Sequence, residues 1–200
     1  MFSPICMAVL LVSIALPGHV WSYGNGRVEE ACVTMVPNHG SPAQVSSAPF
    51  SVSVDRTVYK TGDTIGVTIS GNTPTTTFEG FLIQARSDSS KDAPLGSFVI
   101  SGTPAQTLKC SASSDAVSHV NNQAKNSIKV NWMPPKDNIS NIQLRATIVQ
   151  TKLVFWAKVP GPKMIYNGTG TSDGVRIKAS ADSLLYSCVL LLLTVLLRGF

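Results

Sequence analysis

Short extended segments separated by turn residues run along most of this 200-residue chain, and they restrict its fold more than any other feature. Residues 50–54 (FSVSV) alternate apolar and polar side chains, which is the period of a half-buried β-strand. Gly, Pro, Asn and Asp, the residues typical of turns, lie between the segments. Similar segments occupy residues 57–71, 78–87, 96–100, 106–110, 127–132, 142–150 and 153–159.

This pattern predicts an all-β fold. About eight short strands with turns between them, and no sustained helical period before the C-terminal tail, are typical of an antiparallel β-sandwich. The part between the two apolar ends has the usual size of one domain, about 150 residues. Trp132 and Trp156 fall on predicted strands, and we expect both in the core, because aromatic side chains dominate such cores.

The N-terminus predicts export. An apolar run at residues 6–16 is followed by Pro17-Gly18 and then by Val20 and Ser22 at positions −3 and −1 of the expected cleavage site, which is the pattern of a secretory signal peptide. The run is too short to cross a bilayer, which needs about 20 residues. We expect residues 1–22 to be removed, with Tyr23 first in the mature chain.

Cysteine usage agrees with an oxidising compartment. Cys6 lies in the predicted signal peptide and Cys188 in the tail, which leaves Cys32 and Cys110 to form one disulfide. Closing so long a loop stabilises a fold by about 4 kcal/mol in the chain-entropy account. No CxxC motif and no His/Cys cluster occurs at metal-ligand spacing, so we expect no metal site.

The C-terminal tail is apolar from residue 184 to 197, shorter than a comfortable membrane span. Small residues at 172–174, a polar spacer and the apolar tail match a glycosylphosphatidylinositol attachment signal. We predict a flexible stalk at 162–174 with Ser172 as the attachment site, Gly170 or Asn167 being the alternates, followed by a spacer and tail at 175–200. A single membrane span and an ordinary soluble terminus remain the alternatives. Either a lipid anchor or a span would tether the protein to the outer face of the membrane.

Surface modification and charge fit an extracellular protein. Asn138 and Asn167 begin N-glycosylation sequons, whereas Pro74 disqualifies the one at Asn72. The formal net charge of +5 is spread along the chain, so we expect no nucleic-acid partner.

The sequence lacks the motifs that we would expect of a hydrolytic enzyme. His39 and His119 are the two histidines left after the signal peptide, and neither a GxSxG nor an HExxH motif is present. A lone histidine such as His119, in the predicted loop AVSHVNNQ, is more often a structural hydrogen-bonding group than a ligand. We therefore assign no catalytic residue and no cofactor.

Several longer blocks together resemble the reeler (reelin N-terminal) domain. The resemblance covers residues 23–161 and rests on blocks at 28–40 (VEEACVTMVPNHG), 59–71 (YKTGDTIGVTISG), 78–86 (FEGFLIQAR), 96–100 (GSFVI), 116–135 (AVSHVNNQAKNSIKVNWMPP) and 142–162 (IQLRATIVQTKLVFWAKVPGP). It implies an immunoglobulin-like β-sandwich whose disulfide joins the same two cysteines, Cys32 and Cys110.

The resemblance also carries functional expectations. The sequence is most similar to reeler domains of ferric-chelate reductase-like membrane proteins and of single-domain defence proteins. The reductases add a DOMON domain and a transmembrane b-type cytochrome, whose patterns we do not find in these 200 residues. We expect a non-enzymatic extracellular binding module in innate defence or adhesion, with microbial surface glycolipids or extracellular proteins as partners. The alternative is an accessory member of the reductase-like family without reductase activity of its own.

Overall fold

The computed structural model describes residues 24–88, 92–137, 139 and 141–168. The predicted signal peptide, Asn138, Ser172 and the tail at 175–200 lie outside these residues, and within them no helix is long and apolar enough to cross a membrane. A 3₁₀ turn at Glu29–Ala31 comes first. The strands that follow are β1 (Phe50–Val54), β2 (Val58–Tyr59), β3 (Ile65–Gly71), β4 (Gly80–Ser87), β5 (Ser97–Val99), β6 (Ala105–Leu108), β7 (Ala116–His119), β8 (Ser127–Met133), β9 (Ile142–Thr151) and β10 (Val154–Tyr166).

The strands form two sheets, which confirms the predicted all-β sandwich. In the described part of the chain one sheet has the order β1-β3-β8-β5, and the other has the order β2-β10-β9-β4-β7-β6. Among the described strands the pairing is antiparallel with one exception, since the two-residue strand β2 runs parallel to β10. One apolar core lies between the two sheets, so the described strands belong to one domain.

The core is built from alternate residues of facing strands. Along β8, Ile128, Val130 and Trp132 are buried while their neighbours point outward, as a half-buried strand requires. Trp132 is fully buried and donates its indole N–H to the Leu95 carbonyl at 3.0 Å. Trp156 is also buried and donates to the Ser46 carbonyl at 3.0 Å, so the expected core position of both tryptophans is confirmed.

Strand β4 is buried on both faces over its whole length. Phe81, Ile83 and Ala85 point into the main core, whereas the alternate residues face away from it. Leu82, one of the residues that face away from the main core, packs in a second, smaller apolar cluster with Met35. The six-stranded sheet therefore carries a further layer on its outer face, and this layer is the N-terminal segment, residues 24–39.

The C-terminal boundary differs from the prediction of a stalk from residue 162. Strand β10 continues to Tyr166, Met164 is fully buried opposite Ile142, and the compact unit ends at Asn167. Register shifts on either side of Pro160 let β10 pass through residues 160–162 without leaving the sheet. The part of the predicted stalk up to residue 166 thus belongs to the sandwich.

Candidate functional site

The N-terminal segment is covalently fixed to the six-stranded sheet. Cys32 and Cys110 form the predicted disulfide, with Cα atoms 5.5 Å apart and a sequence separation of 78. Cys110 follows the edge strand β6, so the bond attaches the middle of the segment to the edge of the sheet.

Buried polar side chains of β4 hold the same part of the segment. Gln84 donates its amide N–H to the Cys32 carbonyl at 3.1 Å, and Arg86 donates to the carbonyls of Cys32 and of Val33, the latter at 3.0 Å. Burial lowers the pKa of the Arg86 guanidinium, and the positive charge of Arg145 lowers it further. The segment covers the Arg86 guanidinium, and its backbone carbonyls accept the hydrogen bonds of this buried cation. The same bonds satisfy carbonyls that would otherwise be buried without a donor.

Both ends of the segment are also held. Thr147 on β9 donates its hydroxyl to the Met35 carbonyl, and Gln106 on β6 donates to the Asn25 carbonyl. Gly26 has a φ of +68°, and a Cβ there would lie 1.8 Å from the His119 carbonyl oxygen. Only glycine allows the chain to run this close to β7.

A cleft of about 200 Å³ lies between the N-terminal segment and the outer face of the six-stranded sheet. Small and apolar side chains form most of its surface, and four ionisable groups lie among them. The apolar floor is Gly80, Leu82 and Val149, the wall is Val28, Ala31, Met35 and Pro37, and the ionisable groups are His39, Glu79, His119 and Lys152.

His119 is part of the sheet, not of a loop as the sequence suggested, since it ends strand β7. The backbone N–H of Phe81 donates to its Nδ1 at 3.2 Å, which fixes the ring over β4. A Cβ on Gly80 would lie 3.0 Å from the ring, so glycine leaves room for it. The structural hydrogen bonding expected for this histidine is present, and the ring also lines the cleft.

His39 lines the cleft near the turn between β9 and β10. Its ring meets the edge of Phe155 with centroids 5.8 Å apart, and its Nδ1 atom is buried with no hydrogen-bond partner among the described residues. Burial lowers the pKa of this imidazole; a hydrogen bond to the Lys152 backbone opposes that shift and the Lys152 charge adds to it. His39 therefore presents a largely neutral ring at neutral pH.

The charges around the cleft are unevenly distributed. Glu79 has Lys125 beside it, whose ammonium donates to the Glu79 carbonyl at 2.7 Å. Burial lowers the Lys125 pKa, and the negative charge of Glu79 partly opposes this shift. Lys152 is exposed in the turn, and among the described residues it takes part in no salt bridge. The His39 end of the cleft thus has a positive charge that no described acidic side chain pairs with.

Among the described residues, no group of three or more His, Cys, Asp and Glu side chains is placed to hold a metal ion. The structure brings together the two histidines that the sequence singled out, although they are far apart in the chain. Sequence reasoning missed Glu79, Arg86 and Lys152; a cation inside the otherwise buried strand FLIQAR was the available signal for Arg86.

Of the two predicted glycosylation sites, Asn167 is described. It is exposed just after β10, and its backbone N–H donates to the Tyr59 carbonyl at 2.8 Å. An exposed asparagine at the end of an ordered strand is accessible to modification, and glycosylation there stays a prediction.

A β-sandwich with a covalently attached N-terminal segment over one sheet defines the class of this protein, and comparison with known proteins gives its family. The family model of the Reeler domain matches residues 30–172. The chain therefore belongs to the Reeler domain family. The human F-spondin reeler domain has a similar solved structure, with a TM-score of 0.53 and 25% identity over 64% of this chain and 94% of that one.

Two kinds of relative share this domain. "Putative ferric-chelate reductase 1" of Danio rerio is 40% identical over 82% of this chain and 29% of its own length. "Putative defense protein" of Bombyx mori is 32% identical over 77% of this chain and 92% of its own length. The chain thus spans less than a third of the reductase relative and nearly all of the defence relative.

Proposed function

We propose that this chain is a non-enzymatic extracellular binding module that acts in innate defence or adhesion, secreted or tethered at the cell surface. The observation that carries the proposal is the cleft, a concave and largely apolar surface with few polar groups, which is the usual form of a small-ligand site. The nearly full-length match to an insect defence protein supports the defence role.

The proposal is tested by binding to microbes. The full chain, secreted or detergent-extracted from insect cells, is mixed with bacteria and the bound fraction measured against an immunoglobulin-like domain of similar charge. Val149→Trp places a large side chain in the cleft and is expected to abolish the enrichment. Val99→Trp, at an exposed position on β5 of the other sheet, is the matched control and is expected to bind as the unmodified chain does.

Absence of enrichment over the immunoglobulin-like domain would rule out the microbe-binding form of the proposal. Equal binding by Val149→Trp and the unmodified chain would place the binding surface away from the cleft.

The similarity to ferric-chelate reductase relatives favours a second candidate, an accessory protein of that family without reductase activity of its own. This candidate predicts that the purified chain reduces no ferric chelate, and that its co-expression with a full-length relative changes ferric reduction at the cell surface. Unchanged reduction in the co-expressing cells would exclude it.

A further inference from the structure

An exposed apolar pair lies at one corner of the sandwich, where strands β2 and β10 run side by side. Val58 on β2 is directly opposite Ile165 on β10, and the two residues are 46% and 53% exposed. Single exposed apolar side chains are normal on a protein surface, but these two are neighbours across a sheet. They therefore form one apolar patch, the Val58–Ile165 pair.

The same corner is an edge of the sheet. Strand β2 is the last strand of the six-stranded sheet, and among the described strands its one partner is β10. It has two residues, of which Tyr59 is buried and Val58 is exposed. An exposed apolar edge strand invites pairing with another chain, and proteins cover such edges. A group that covers the Val58–Ile165 pair would therefore also protect this edge.

Asn167 is placed to carry such a group. Side chains alternate along the end of β10, since Ile165 is exposed, Tyr166 packs against the core and Asn167 is exposed again. The backbone N–H of Asn167 donates to the Tyr59 carbonyl at 2.8 Å. The N–H of Ile165 donates to the Thr57 carbonyl in the same way, so the parallel pairing continues as far as Asn167. Ile165 and Asn167 therefore lie on one face of the sheet, about 7 Å apart.

Asn167 also begins a glycosylation sequon, Asn167-Gly168-Thr169. The first sugar of an N-glycan is N-acetylglucosamine, whose ring C–H groups and acetamide methyl group form an apolar surface. A sugar joined to the Asn167 amide starts on the face of the sheet that carries Ile165. Packing of the sugar on the Val58–Ile165 pair removes apolar surface of both from water, which is favourable.

We propose that the first N-acetylglucosamine of a glycan on Asn167 packs over Val58 and Ile165 and covers the β2 edge of the sheet. Glycosylation transfers the sugar from a lipid diphosphate donor. The C1–O bond of the sugar breaks, a C1–N bond to the Asn167 side-chain amide forms, and the amide proton leaves with the released lipid diphosphate. This inference rests on the extracellular location in the proposed function, because N-glycans are added to exported proteins.

The test is a double-mutant cycle on the full chain, secreted or detergent-extracted from cells that make high-mannose glycans. Mass spectrometry measures glycan occupancy at Asn167, and urea unfolding measures stability. Asn167→Gln removes the glycan, and the double variant Val58→Thr/Ile165→Thr removes the apolar patch while keeping β-branched side chains. We expect Asn167→Gln to raise the unfolding equilibrium constant about threefold to tenfold when the patch is present, and less than about twofold in the double variant.

Three controls make the cycle specific. Val99, on β5 of the other sheet, has the same exposed fraction as Val58, 46%, so Val99→Thr should not change the effect of Asn167→Gln. Asn138→Gln removes the other predicted sequon and should have the same effect with and without the apolar patch. Endoglycosidase H trims the glycan to its first N-acetylglucosamine and should leave the unfolding midpoint nearly unchanged, because that sugar makes the contact.

The proposal is overturned if the exported chain carries no glycan on Asn167, or if removing the glycan has the same effect with and without the patch. It is also overturned if the glycosylated chain sediments as a dimer that Val58→Thr/Ile165→Thr dissociates, since a second copy would then cover the patch. If Asn167→Gln is not exported, peptide N-glycosidase treatment of the folded Asn138→Gln chain gives the same comparison. A chain that binds bacteria without a glycan on Asn167 keeps the proposed function and refutes only this inference.

Discussion

At the scale of single residues, the Asp115 carboxylate organises the loop that follows Cys110. It accepts hydrogen bonds from the backbone N–H groups of Cys110, Ser111 and Ala112, at 2.6–2.8 Å, and from the Ser111 hydroxyl. Burial raises the pKa of this carboxyl, but the four hydrogen bonds together lower it more, so the pKa lies below its usual value. The Asp115 side chain is therefore stabilised in its charged form by the folded structure.

Asp115→Asn is expected to lower the free energy of unfolding by about 1–3 kcal/mol at neutral pH, because the amide loses the charge and turns a donor toward backbone donors. A carboxyl with a lowered folded pKa stabilises the fold above its unfolded pKa of about 3.9, and this contribution is lost as pH falls through the folded pKa. Urea unfolding across this acidic range should show a smaller pH dependence in the variant. Asp88→Asn, which removes an exposed ion pair of 3.9 Å with Lys163, should change stability little at neutral pH.

At the scale of elements, the N-terminal segment depends on both the disulfide and the Gln84–Arg86 contacts. Replacing Cys32 and Cys110 together by serine is expected to cost about 4 kcal/mol of unfolding free energy in the chain-entropy account. The segment should then be cleaved by protease before the sandwich, because local opening exposes it first. Urea unfolding and limited proteolysis with mass spectrometry measure the two effects.

Gln84→Leu is the contrasting variant for the same element. It removes the amide that binds the Cys32 carbonyl and leaves the covalent bond intact, so cleavage within the segment should remain slow. Fast cleavage in this variant and slow cleavage in the double serine variant would show that hydrogen bonds, not the disulfide, fix the segment.

At the scale of the whole molecule, local pattern predicted the sandwich better than the cleft. The alternation at residues 50–54 and the apolar residues at 78–87 each reflect burial within one strand. Both β1 and β4 could therefore be placed from the sequence. The disulfide followed from counting cysteines. The cleft could not be placed in this way, because His39 and His119 come together only when the N-terminal segment crosses the outer face of the sheet. Strand β7 was missed because its four residues are buried on both faces and show no alternation.

The C-terminal end of the sandwich gives the last prediction. A chain ending at residue 161, where the sequence alone placed the domain boundary, loses the fully buried Met164 and the pairing of β10 with β2. It also loses the edge contact of Tyr166 with Tyr59, whose ring centroids are 5.5 Å apart. Removing one large apolar side chain from a core costs about 2–5 kcal/mol, so this fragment should unfold at much lower urea or fail to accumulate.

A fragment ending at residue 168 keeps all these contacts and serves as the control. It should unfold at nearly the same urea concentration as the full chain, because the compact unit ends at Asn167. Equal unfolding midpoints for the two fragments would mean that the last residues of β10 add nothing to the stability of the core. The expected difference would instead make residues 162–166 part of the reeler sandwich, since the parallel strand β2 has its only partner among the described residues in β10.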